Sequence, residues 1–156
     1  MIYTEKIIDM DLKSTLTRRL VKSEDLNHHR TLFAGRCAEW FVESSFIVVA
    51  RYLPPNEVVC LKIHGMEFLH PIYSGDVLTF ESKIAYCGKS SVTIFTRVYK
   101  DNTPDITFCE GFATFIHVNE HTVPKPHGIV IEPKTPEDLR LYEEARNLVL
   151  ASRSKK

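Results

Sequence analysis

One stretch of this chain leaves little choice of architecture. From Gly35 to Leu53 the sequence runs GRCAEWFVESSFIVVARYL, and Pro54 and Pro55 stop it. Cys37, Trp40, Phe41, Ser44, Ser45 and Val48 recur at helical spacing, and the opposite side is also largely apolar through Val42, Ile47 and Val49. A helix that is apolar around so much of its circumference is expected to be buried nearly all round. Proline ends it, because it has no N–H to donate and biases the residue before it away from helical geometry.

What surrounds this helix is strand-forming. Ser14–Val21 (STLTRRLV) alternates Leu16, Arg18 and Leu20 against Thr15, Thr17 and Arg19, which predicts a first strand with one wet face. The polar stretch KSEDLNHHR then reads as loop. After the prolines come EVVCLKIHGMEF, DVLTFESKIAY, SVTIFTRVY and ITFCEGFATFIHV, each rich in β-branched and aromatic residues, separated by turn signals at HPIYSGD, CGKS and KDNTPD. The pattern predicts a meander of long antiparallel strands, and so an α+β fold in which a curved antiparallel sheet wraps around one long central helix. VPKPHGIVIEPK reads as proline-punctuated coil. TPEDLRLYEEARNLVLASR predicts an extra C-terminal helix over about 136–151, with Thr135 as N-cap, Pro136 at the first helical position and acids Glu137 and Asp138 in the first turn. Its apolar face, Leu141, Ala145 and Leu148, is expected to dock on the outside. No internal repeat is visible, so residues 1–156 are expected to form a single domain with its core at about 14–126.

Composition removes several classes of function. At 44% hydrophobic and 26% charged, 156 residues suffice for an ordinary core without disulfides or a structural metal. Lys plus Arg equal Asp plus Glu at 20 each, so there is no basic field to hold a nucleic-acid backbone. The basic tail Arg153, Lys155 and Lys156 reads as a solvated terminus. The opening MIYTEKIIDMDLK carries acids among its apolar residues and lacks the pattern of a secretory leader, and no segment is apolar enough to span a membrane. No membrane partner and a cytoplasmic location are therefore expected. Cys37, Cys60, Cys87 and Cys109 form no CxxC pair, which argues against a zinc site and predicts reduced thiols used as core filler.

The segment NHHRTLFAGRCAEWFVESSFIVVARYL, beginning at Asn27, resembles the motif of the hotdog-fold acyl-CoA thioesterases of the long-chain acyl-CoA hydrolase type: an Asn, a Gly-Gly turn and a buried helix carrying an acid. In order after it, FLHPIYSGDVLTF resembles the family's Pro then Gly-Asp stretch, YCGKSSVTIFTRV its Gly-x-Ser-Ser strand, and ATFIHV with VPKP its last strand and exit. The likeness runs from about Asn27 to Pro126. It implies the hotdog fold, hydrolysis of acyl-CoA to free acid and CoA, and no cofactor beyond the coenzyme A of the substrate. It also implies a homodimer, possible as a unit of a hexameric trimer of dimers, with Asn27 of one subunit facing the helix acid of the other. Two positions depart from the pattern. Arg30 and Ala34 stand where the family has glycines, and the helix acid falls on Val42, with Glu43 one place later.

A thioester already has a good leaving group, so its hydrolysis needs only a polarised carbonyl and an oriented, deprotonated water. No metal site is expected. Gly35 sits where loop becomes helix, so its N–H and the positive end of the helix dipole can meet an oxyanion; alternatively, it simply permits a tight turn. Asn27 can donate to the carbonyl or hold the water; as a loop residue it can equally be a turn former. Glu43 is the candidate general base, a carboxylate on a greasy helix where desolvation would favour proton uptake, with Glu39 one turn earlier. Its competing role is the second acid beside the catalytic one, turned away by about 100°. Gly88, Lys89, Ser90 and Ser91 are the candidate CoA-binding turn, offering backbone and hydroxyl donors and a cation, or else an ordinary hairpin. His28 and His29 read as solvated, and Cys37 as packing. The rival function is a non-catalytic acyl-CoA or acyl-carrier binding module that has lost the acid at Val42. A hotdog hydratase would need an Asp/His-type pair that the motif does not supply.

Overall fold

The computed structural model describes residues 6–9 and 14–154. In chain order the elements are β1 (Lys6–Asp9), β2 (Thr15–Leu20), α1 (Ala34–Ala50), β3 (Val58–Phe68), β4 (Val77–Cys87), β5 (Ser91–Lys100), β6 (Cys109–His117), β7 (Ile129–Glu132) and α2 (Pro136–Ser154). Five strands make one antiparallel sheet in the order β2-β4-β5-β6-β3, and α1 lies across its inner face. This is the hotdog arrangement of the α+β class.

Only β4, β5 and β6 form the expected meander. β3 pairs with β6 at the far edge, not with β4. The link from β3 to β4 is too long for a hairpin turn and runs past the start of α1, where Ile72 O accepts from Leu32 N at 2.7 Å. The segment expected as coil contains β7, which pairs in parallel with β1 over Lys6↔Ile129 to Asp9↔Glu132. Ile8, Ile129 and Ile131 are buried in the main core while Ile7 and Val130 stay exposed. Alternation is therefore present, but an outward valine gives no polar signal.

α1 buries Cys37, Trp40, Phe41, Ser44, Ser45, Val48 and Val49. It is not covered all round: Glu39, Glu43 and Ile47, spaced four apart, form an exposed stripe, because the sheet reaches only the opposite face. Under the buried face runs a directed chain of hydroxyls. Ser45 Oγ donates to Phe41 O at 2.8 Å, so it must accept from Thr96 Oγ1 at 3.1 Å, and Thr96 in turn accepts from Ser82 Oγ at 2.6 Å. All three side chains are fully buried, and Ser82 and Thr96 sit directly opposite each other on β4 and β5. The chain pins the middle of α1 to the middle of the sheet.

The outer face of β4, β5 and β6 carries α2 through Ala85, Phe95, Phe112, Leu141 and Ala145. Covered on both faces, these strands lose the period-two pattern that β2 keeps. Thr135 Oγ1 caps α2 by accepting from Asp138 N at 3.1 Å. Val149 takes the deep position that Leu148 was expected to fill, and Leu148 packs only partly. Cys37 and Cys109 are core filler as expected, but Cys60 is exposed, since it lies on edge strand β3. No helix of the described chain is long and apolar enough to cross a membrane.

Candidate active site

The approach to α1 is set by a five-residue loop built on Asn27. Asn27 N donates to Thr31 O at 2.8 Å, and Asn27 Oδ1 accepts from His29 N at 2.8 Å and Thr31 N at 3.2 Å. The amide oxygen is thus spent on the turn. Nδ2 donates to Thr31 Oγ1 at 3.1 Å and retains a second hydrogen. Arg30 stands in this loop at φ 65°, a left-handed conformation that suits the glycine implied by the family pattern and strains arginine. His28 and His29 are exposed, as expected for solvated residues.

Asp25 fixes the other side of the approach. It is 5% exposed, accepts from Lys22 N at 2.9 Å and pairs with Arg36 Nε at 3.2 Å, while its backbone oxygen accepts from Phe33 N at 2.9 Å. With the lead-in so held, the first two helical amides, Ala34 and Gly35, have no acceptor among the described residues. Gly35 does not adopt a positive φ, so a tight turn does not require it. A Cβ there would meet the Phe33 ring at 2.5 Å. Asn27, Ala34, Cys37, Phe68 and His70 share a cleft of about 270 Å³, whereas Gly35 lines a neighbouring one with Asp25, Arg36 and Glu39.

Glu43 lies two turns further along α1, about 12 Å from Gly35 at 1.5 Å per residue. It joins neither cleft. Its side chain is 55% exposed and bonded to Arg19 Nη2 at 2.5 Å, and Arg19 also lies over the Trp40 ring at 5.6 Å. The desolvation expected around this carboxylate is not supplied within one chain. Val42, where the family pattern puts its acid, is half-buried and packs on the main core.

The Gly88–Ser91 turn joins β4 to β5, with Gly88 N donating to Ser91 O at 3.0 Å. His127, unremarked in the sequence, clamps it. Ile129 N donates to His127 Nδ1 at 2.9 Å, so Nε2 carries the proton and donates to Ser91 O at 2.8 Å. Burial, with a smaller contribution from the charge of His117, lowers the pKa of His127 and favours this neutral form. Two clefts flank the turn. One of about 490 Å³ includes Gly88, Lys89, His127 and Tyr142; one of about 270 Å³ includes Ser90, Ser91, Lys62 and Arg153. Neither contains Asn27, Gly35 or Glu43, so one chain does not bring the candidate catalytic and binding residues together.

The profile of the Thioesterase superfamily matches residues 29–107, from the Asn27 loop through α1 and the Gly88–Ser91 turn to just before β6. This chain belongs to the thioesterase superfamily. The uncharacterized acyl-CoA thioester hydrolase YkhA of Bacillus subtilis is 30% identical over 124 residues, covering 78% of this chain and 71% of the relative. The crystal structure of an apo-hexameric acyl-CoA thioesterase superposes with a TM-score of 0.83 at 27% identity, covering 96% of this chain and 97% of that one. An acyl-CoA hydrolase from Staphylococcus aureus, solved with butyryl-CoA, CoA and CoA disulfide, shares the fold at a TM-score of 0.81 and 22% identity, covering 96% and 92%. At the two positions that depart from the family pattern, Arg30 has a left-handed backbone and α1 runs unbroken through Val42.

Proposed function

We propose that this chain is an acyl-CoA thioesterase that hydrolyses acyl-CoA to free acid and CoA with an activated water and no metal. The observation that carries this is the donor set at the start of α1. Two amides without an acceptor among the described residues stand at the positive end of a 17-residue helix, Ala34 in the Asn27 cleft and Gly35 in the one beside it, and one Nδ2 hydrogen of Asn27 is uncommitted. Such preorganised donors stabilise a thioester oxyanion by supplying fixed dipoles where water would have to reorganise. Gly35 and Asn27 polarise the carbonyl, Glu43 activates water, and the Gly88, Lys89, Ser90 and Ser91 turn receives the CoA portion.

The site is composite. Glu43 is exposed with Glu39 and Ile47, and β3 presents an unpaired edge bearing exposed Val59, Leu61 and Ile63. A second copy against these surfaces would cover the apolar edge and bring the Glu43 of one subunit to the Asn27 of the other. The assembly is a homodimer, or a hexamer such as the structural relative forms. Removing one oxyanion donor by Asn27→Ala should lower the rate about 10²-fold or more with the fold intact. An unchanged rate would return Asn27 to the role of turn former.

One observation favours the rival, a binding module without hydrolysis. Val42, where the family pattern has its acid, is a half-buried apolar residue packed against the core, and Glu43 has one carboxylate oxygen, Oε1, tied to Arg19, so that only Oε2 is left to face a water. Under the hydrolase reading Glu43→Ala abolishes most turnover. Activity indifferent to Glu43→Ala but raised by Val42→Asp would establish that the native acid has been lost.

A further inference from the structure

We infer that the cleft between β3, the start of β5 and the last turn of α2 is a seat for a phosphoryl anion, formed by Lys62, Arg153 and the Ser90–Ser91 hydroxyls. The acyl-CoA reading enters only in naming the substrate as the first source of that phosphoryl group.

Charge is what sets this cleft apart. Most basic side chains of the fold have a carboxylate partner: Arg18 with Asp101, Arg19 with Glu43, Arg36 with Asp25, Arg97 with Glu81, Lys100 with Asp76. Among the described residues Lys62 and Arg153 have none, and no carboxylate lines the cleft they share. Lys62 Nζ is steadied by Ser152 Oγ at 2.7 Å. Arg153 Nη2 lies 3.6 Å from where a Cβ on Gly88 would be, which sets the guanidinium directly over the turn.

A hydroxyl waits beside it. Ser91 is 4% exposed, and its Oγ has no hydrogen-bond partner among the described residues. A buried hydroxyl in that state is costly, and rotation toward a ligand in the adjoining cleft would satisfy it. Gly88 leaves the room, since a Cβ there would sit 2.5 Å from Ser91 Oγ. His64 closes the far wall, held by Thr114 Oγ1 at 2.7 Å. The end of α2 alone does not account for these cations. A helix C-terminus carries about half a negative charge, which Arg153 answers, whereas Lys62 comes from β3. Two unpaired cations, one in a planar fork, with hydroxyl donors between them match a phosphomonoester or pyrophosphate group.

The test is calorimetric titration of the full-length protein and its Lys62→Ala and Arg153→Glu variants with CoA, pantetheine and ADP. If the phosphoryl group is the substrate's own, each variant weakens CoA about tenfold or more and shifts pantetheine, which has no phosphate, far less. If it belongs to a separate nucleotide, ADP binding falls by the same factor while the CoA to pantetheine ratio holds; the seat stands and its source is an effector. Variants that keep their circular dichroism and bind both CoA and ADP like the wild type overturn the inference. So does a wild type that binds neither ADP nor inorganic phosphate and binds CoA no better than pantetheine. A wild type that binds phosphates here yet hydrolyses no acyl-CoA would fault the proposed function alone.

Discussion

Replacing Thr96 with valine removes the centre of the hydroxyl chain beneath α1 without changing side-chain shape. Two hydrogen bonds disappear, to Ser45 Oγ and from Ser82 Oγ. Ser45 keeps its donation to Phe41 O, so it loses only an incoming bond. Ser82 fares worse, because its proton pointed at Thr96 and its side chain is fully buried. At about 1 kcal/mol per lost bond and 1–3 kcal/mol for a stranded buried donor, Thr96→Val should cost about 2–4 kcal/mol. The direction of the chain adds a sharper expectation. Ser82→Ala in the Thr96→Val background removes the stranded donor, so the double variant should be less destabilised than the sum of the singles by about 1 kcal/mol or more. Guanidinium denaturation followed by circular dichroism, at one fixed protein concentration, measures both terms. A Thr96→Val cost under about 0.5 kcal/mol, or strict additivity, would refute the directed chain.

Further outcomes follow from other parts of the fold. The depressed pKa of His127 means the unfolded chain binds more protons just below pH 6.5, so its contribution to stability is complete above about that value and declines as pH falls. The protection of the Ile129 amide against exchange, taken relative to the intrinsic rate at each pH, should fall on acidification, and His127→Gln should flatten that slope; His64, lowered chiefly by burial, supplies a remaining part. Arg30 at φ 65° predicts that Arg30→Gly is neutral or stabilising and that Arg30→Val, β-branched in a left-handed site, costs about 1–2 kcal/mol by thermal denaturation. Light scattering should find a dimer or hexamer. Inactive Asn27→Ala and Glu43→Ala subunits should recover activity when mixed and reassembled; a stable, active monomer would refute the composite site.

How much of this was legible follows from where each signal resides. α1 announced itself because proline punctuation and helical spacing are local, and β4 to β6 because short turn motifs separate β-branched runs. β7 was missed because its partner, β1, lies some 120 residues away and its outward residue is valine. The position of β3 was missed because sequence adjacency predicts pairing with β4, whereas the link between them is a crossing past α1. The exposed stripe of α1 was unreadable for a different reason: an apolar residue such as Ile47 looks buried whether its cover comes from its own sheet or from a second chain. Of the candidate site, Asn27, Gly35 and the 88–91 turn were visible as motifs. Their supports were not, since Asp25, His127 and Arg19 act through contacts between distant segments and their residue types are common in any loop or strand. Arg153 looked like a solvated tail because helix length places it over Gly88, a relation no local pattern contains.

Whether the protein hydrolyses acyl-CoA is decided by thiol release from the purified wild type, followed across short, medium and long acyl-CoAs. Free CoA should appear in step with free acid for at least one chain length, without added metal and undiminished by chelator. Tight binding of acyl-CoA with no thiol released at any chain length would contradict it and leave a binding module in place of an enzyme.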